Sequence, residues 1–147
     1  MAVKELVRKS VDEWNKKDKK AFLGNFTESS KIIGPDGVIL HGLPGIEKFW
    51  ELWQGAFPDN KGTIDDIFAT DERAYAEVTV EATHTGTLYL GNGRQIPATG
   101  RHICLPVAHV HTIRHGKFVI SHIYFDQFDL FIQLGLMPIP AADSHHK

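Results

Sequence analysis

The residues best equipped for chemistry lie between Leu105 and Leu136, where His109, His111, His122, Tyr124 and Asp126 fall close together. Read as a strand, Phe118 to Phe125 alternates so that Phe118, Ile120, His122, Tyr124 and Asp126 share one face, with Val119, Ser121, Ile123 and Phe125 on the other. A carboxylate at a strand end facing apolar and aromatic groups is poorly solvated. Its charged form is disfavoured, which suits it to work as a base or acid in proton transfer. Asp126 also stands where it can cap a helix starting at Gln127, because Asp is a preferred N-cap residue.

Two hairpins bring further polar groups to this face. A two-residue turn at His115-Gly116 pairs Arg114 with Lys117, which sets His109 opposite His122, His111 opposite Ile120 and Leu105 opposite Asp126. The long strand Tyr75 to Leu88 carries Ala76, Val78, Val80, Ala82, His84 and Leu88 on one side and Glu77, Thr79, Glu81, Thr83 and Thr85 on the other. A turn at Gly91-Asn92-Gly93 that pairs Leu90 with Gln95 sets His84 opposite Arg101 in a returning strand, Ala98 to Ile113, with an irregularity expected at Pro106. The resulting inward wall holds His84, Arg101, His109, His111, His122, Tyr124 and Asp126. Singly, an inward histidine is ordinarily a hydrogen-bonded core residue and Arg101 can pair with Asp126. Together they imply a hydrogen-bond network or a ligand cavity. His109 and His111 project about 6.6 Å apart from two residues of strand rise, and no third ligand is set by spacing, so no metal is expected. The terminal pair His145-His146 adds no ligand spacing.

The elements that must hold this wall precede it. Val3, Leu6, Val7, Val11 and Trp14 form an amphipathic helix, and Asp18 caps a short second one through Phe22. After a strand at Lys31 to Ile33 and a Gly34-Pro35-Asp36-Gly37 turn, Pro44 opens a third helix. Its stripe Ile46, Phe49, Trp50, Trp53 and Phe57 is aromatic enough to roof a pocket, and Phe57-Pro58-Asp59 stops it. Helices followed by a run of antiparallel strands argue for an α+β fold. The apolar outward set Cys104, Ala108, Val110 and Thr112 beside Val119, Ile123 and Phe125 suggests a subunit interface, most simply a dimer.

Composition bounds the partners. The 147 residues suit one domain, 1–147, and a net charge of -2 with 23% charged residues argues against a nucleic-acid surface. The single cysteine, Cys104, and the lack of an 18-residue apolar run lead to the expectation of a cytoplasmic protein with no membrane span. No phosphate loop, dinucleotide fingerprint or nucleophile elbow occurs.

Several motifs in order carry a resemblance: Ala56-Phe57-Pro58-Asp59, Thr83-His84-Thr85-Gly86, Thr99-Gly100-Arg101, Gly116-Lys117 leading to Asp126, and Gln133-Leu134-Gly135-Leu136 with Pro138. Together they resemble the SnoaL-like polyketide cyclases, or ester cyclases, of the nuclear transport factor 2-like superfamily. The resemblance implies a cone of curved antiparallel sheet wrapped against three helices, dimeric or tetrameric, with a pocket for a small apolar or aromatic carbonyl compound. It implies an intramolecular aldol closure with Asp126 as general acid/base, assisted by His109 or His111, without metal or organic cofactor. The pocket would then be lined by His84, Arg101, Leu105, His122, Tyr124, Trp50, Trp53 and Phe57. Ser121-His122 departs from the His-Trp that many members carry, which bears on substrate and reaction. A protein that only binds such a compound, or an isomerase or hydrolase using the same pocket, is the alternative.

Overall fold

The computed structural model describes residues 2–138; Met1 and residues 139–147, including His145 and His146, lie outside the described residues. Helix α1 (Val3–Asn15) buries Leu6, Val7 and Val11, and α2 (Lys19–Leu23) starts at Asp18, whose carboxylate accepts the Ala21 N–H at 3.2 Å. Strands β1 (Phe26–Ile33) and β2 (Ile39–His41) flank the predicted turn, in which the Gly37 N–H donates to Gly34 O. Helix α3 (Gly42–Ala56) carries Pro44 in its first turn, where the missing N–H is harmless, and buries Ile46 and Trp50. Then come β3 (Lys61–Ala69), β4 (Arg73–Thr83), the short β5 (Leu88–Tyr89) and β6 (Gln95–Ile96), β7 (His102–Arg114), β8 (Lys117–Phe125) and α4 (Gln127–Gln133).

Six strands form one curved, open sheet in the order β2-β1-β8-β7-β4-β3, antiparallel throughout except for the parallel pair β1 and β8. The even residues of β4, from Ala74 to Ala82, face the helices and the odd ones face away, as the sequence pattern predicts. The β4–β7 register continues past the strand ends, with the His84 N–H donating to Arg101 O at 2.9 Å, so these two residues are opposed as expected.

Pro106 causes no irregularity, and its pairing with Thr79 is in register. The reason lies two residues away. Cys104 turns its N–H and C=O away from β4, to the side-chain amide of Gln133 on α4, at 2.8 and 2.9 Å. Pro106 shares that phase of the strand, so its missing N–H falls on the side away from β4, past the last β8 pairing at Val107–Phe125.

The irregularity sits in β8 instead. The turn at His115 and Gly116 has φ of 52° and 73°, the two positive values a type I′ hairpin needs, and Arg114–Lys117 and Ile113–Phe118 pair as predicted. Thr112 then pairs with Ile120, leaving Val119 as an extra residue. Beyond this bulge the expected pairs are shifted by one: His111 faces Ser121, His109 faces Ile123 and Val107 faces Phe125. A one-residue shift reverses every side chain. Ser121, Ile123 and Phe125 therefore point to the helices, while His122, Tyr124 and Asp126 point outward, opposite to the alternation read from the sequence.

The parallel neighbour holds this kink in place. Strand β1 pairs with β8 at Phe26–Phe118 and again at Lys31–Ile120, with its own irregularity between. There the buried Ser30 hydroxyl donates to Phe118 O at 2.6 Å and accepts the Thr27 N–H at 2.8 Å. Ser30→Ala would strand the buried Phe118 carbonyl, an effect of about 1–3 kcal/mol. Urea denaturation should show that loss, while the exposed Ser29→Ala stays within about 0.5 kcal/mol of the parent.

Candidate functional site

Between the sheet and helices α1 and α3 lies a cavity of about 130 Å³. Trp14, Phe22, Phe49, Trp53 and Phe57 from the helical side and Phe125 from β8 give it aromatic walls, with Trp53 edge-on to Phe125 at 5.7 Å and stacked on Phe57 at 6.1 Å. Val78, Val80, Leu105 and Val107 form the floor on the sheet.

The polar groups on the helical side are closed on one another. The Trp14 indole N–H donates to Asn60 Oδ1, and the Asn60 amide donates to Gln54 Oε1 at 2.8 Å and Phe57 O at 2.7 Å. Gln54 in turn donates to Trp14 O at 3.1 Å, and the Ser10 hydroxyl is taken up by Val7 O at 2.8 Å. The sheet side is different. His109 and His111 stand together on β7 with ring centroids 5.6 Å apart, and His111 stacks on Phe118 at 4.1 Å. His109 has no side-chain partner among the described residues, whereas His111 Nδ1 lies 2.7 Å from Ser121 Oγ and its Nε2 has none.

Hydrogen-bond accounting assigns the His111 tautomer. If Ser121 donates to Nδ1, only the Nε2–H is left over; if Nδ1 carries the proton, both the serine hydrogen and the Nε2 lone pair are stranded. The first arrangement leaves fewer unmet groups, so His111 carries an unused Nε2–H donor. Burial pushes His109 down to about 4, and pushes His111 well below the ordinary histidine value, with the neighbouring His109 adding to the effect. Both rings are neutral at pH 7. Among the described residues no Asp, Glu, Lys or Arg lines the cavity, and these imidazoles are its titratable side chains.

The other expected site residues divide into three groups. Leu105, Trp53 and Phe57 border the cavity with His109 and His111. Trp50 and His84 are buried elsewhere. Trp50 packs against Trp14 and Phe22 at 5.0 and 5.2 Å, and His84 Nδ1 receives the Thr99 N–H at 3.1 Å with the Thr99 hydroxyl at 2.9 Å. The last group is a correction: Arg101, His122, Tyr124 and Asp126 do not face the cavity. Arg101 is exposed and lies along Gly135, where an added Cβ would come within 2.6 Å of its Nε. The Val119 bulge puts His122 and Tyr124 on the outer sheet face, stacked at 3.9 Å and joined by a 2.8 Å hydrogen bond. Asp126 is exposed and caps α4, its carboxylate accepting the Asp129 N–H at 3.0 Å. Ser121, Trp14 and Asn60 border the cavity without having been expected there. Ser121 was hidden by the reversed face, and Trp14 was legible only as part of a helix stripe. No cluster of three His, Cys, Asp or Glu side chains that could hold a metal occurs among the described residues, and no described helix is long and apolar enough to cross a membrane.

A curved, open sheet packed against helices is the fold of the nuclear transport factor 2-like and ketosteroid isomerase-like proteins. Residues 7–120 match the SnoaL-like domain, and the chain belongs to that family. Three similar solved structures are AclR from Streptomyces galilaeus, assigned as a hydroxylase, and two proteins assigned as polyketide cyclases, from Jannaschia sp. CCS1 and Pseudomonas putida KT2440. AclR is 22% identical with a TM-score of 0.78, covering 94% of this chain and 87% of its own. The Jannaschia protein is 16% identical at 0.80, covering 91% and 92%. The Pseudomonas protein is 26% identical at 0.75, covering 90% and 98%. No curated protein matches the sequence.

The depressed His109 value fixes a direction of pH dependence. The unfolded chain takes up a proton on this residue near pH 6.5, whereas the folded one resists until about pH 4. The contribution to stability is therefore complete above pH 6.5 and is lost as the pH falls from there towards 4. Denaturation midpoints measured from pH 7 to 5 should fall, and His109→Gln should flatten the slope by up to ~1.4 kcal/mol per pH unit.

Proposed function

We propose that this protein is an acid/base enzyme acting on a small apolar or aromatic carbonyl compound, with His109 as general base and His111 as the donor to the carbonyl oxygen. The observation that carries this reading is the pair of neutral, under-bonded imidazoles at one end of an otherwise apolar cavity. His109 is unprotonated at pH 7 and takes an activated α-proton; the His111 Nε2–H stabilises the enolate oxygen that forms. The closure of a carbon–carbon bond within the substrate, the aldol step the family resemblance implies, would follow from that enolate. Ser121 orients His111. Asp126 serves the fold as the cap of α4 and leaves the chemistry to the histidines.

Exchange of α-hydrogen for deuterium in a 1,3-diketone, followed by NMR, reads the first step directly. His109→Gln should slow it by roughly two to four powers of ten. Asp126→Asn should stay near the parent rate, because Asn caps a helix as well as Asp does. The opposite outcome would return the base to Asp126. Binding of such compounds with no exchange at all would make the protein a carrier.

We also propose that two copies associate through the outer sheet face. The expected apolar set is altered by the bulge: Ile123 and Phe125 turn inward, but Tyr124 is 47% exposed and lies with Cys104, Ala108 and Val110 on that side. Sedimentation at micromolar concentration should give a dimer, and Tyr124→Glu should shift it to the monomer. A monomeric parent would remove the idea.

A further inference from the structure

The size and the charge of the occupant can be read from the same cavity, on the reading that this cavity is the substrate site. Its volume of about 130 Å³ is small. Drug-sized clefts start at ~300 Å³, and an apolar cavity of ~150 Å³ holds one benzene. The space therefore matches a single ring with few substituents, not the fused rings of a large aromatic precursor. The walls that set this limit are bulky and mutually packed: Trp14 lies 5.8 Å from Phe49 and 5.2 Å from Phe22, and Trp53 touches both Phe57 and Phe125.

Charge is excluded as firmly. The lining has no cation to meet a carboxylate and no anion to meet an amine, and the helix-side polar groups already bond one another. An ion entering would lose its hydration without replacement, which costs far more than a pocket of this size returns. What remains unmet is the His111 Nε2 donor with the unbonded His109 ring beside it. A buried donor left without an acceptor is unfavourable by about 1–3 kcal/mol, so a ligand oxygen placed there gains twice, from its own bond and from relieving the protein.

We infer that the cavity selects an uncharged, single-ring compound that carries one hydroxyl or carbonyl oxygen, placed at the His109–His111 pair with its ring among the apolar side chains of the lining. Fused-ring and ionised compounds of the same chemistry are excluded.

Calorimetric titration of the full chain with phenol, 2-naphthol and benzoate tests size and charge without any need for turnover. Phenol should bind at least tenfold more tightly than either, although 2-naphthol is the more hydrophobic. Phe49→Ala, which enlarges the wall without touching the histidines, should raise 2-naphthol affinity at least tenfold relative to phenol. For the oxygen-binding end, the ratio of phenol to toluene affinity should fall at least fivefold in His111→Leu, its folding checked by circular dichroism. Naphthol or benzoate binding within threefold of phenol in the parent would overturn the inference, as would an unchanged phenol-to-toluene ratio in a folded His111→Leu. Single-ring selectivity without deuterium exchange would remove the enzymatic reading and keep this one. Exchange confined to fused-ring ketones would do the reverse.

Discussion

One extra residue in β8 determines what the cavity is made of. With Val119 unpaired between Phe118 and Ile120, the inner face of the strand is Ser121, Ile123 and Phe125. Serine then stands beside His111, and phenylalanine stands edge-on to Trp53. The bulge is held by a long-range bond, from Ser30 on the parallel strand β1 to the Phe118 carbonyl. The sheet's one parallel pairing is thus tied directly to the composition of the site.

The consequence is a cavity whose electrostatics come from desolvation. Burial holds the imidazoles neutral at pH values where a solvated histidine is partly protonated, with His109 adding to the effect on His111. The helix-side groups satisfy one another through Trp14, Asn60 and Gln54, which leaves the unmet hydrogen-bonding capacity on β7. Directionality in the site arises from that asymmetry: an apolar vessel with one polar end. The SnoaL-like family supplies the architecture, and residues 109, 111 and 121 make the polar end.

Much of the fold was legible because its determinants are local. Asp18 as a cap, Pro44 in a first turn, the I′ turn at His115-Gly116 and the alternation of β4 each act within a few residues and appear as read. Short motifs along most of the chain pointed to the family. The face of β8 was not legible, because Val119 carries no glycine or proline to mark a bulge and because both faces of that strand are largely apolar. Alternation distinguishes two faces only when one of them is polar, and here the deciding contact comes from Ser30, far away in sequence. His109 and His111 were found because they precede the bulge. His122, Tyr124 and Asp126 follow it and were assigned to the wrong side. Arg101 was placed opposite His84 correctly, but its long side chain runs outside, along Gly135.

The clasp between Gln133 and Cys104 bears on how this protein stays separate from others. Strand β7 outruns β8, and the stretch before Val107 would otherwise offer unpaired backbone to any passing strand. The Gln133 amide occupies both polar groups of Cys104 as a neighbouring peptide would, and Pro106 presents no N–H at all. An α-helical side chain thus acts as a one-residue counterfeit strand, with a proline beside it as a blank. This flank of β7 is closed to templated growth, so the sheet can end there without becoming a nucleus for aggregation.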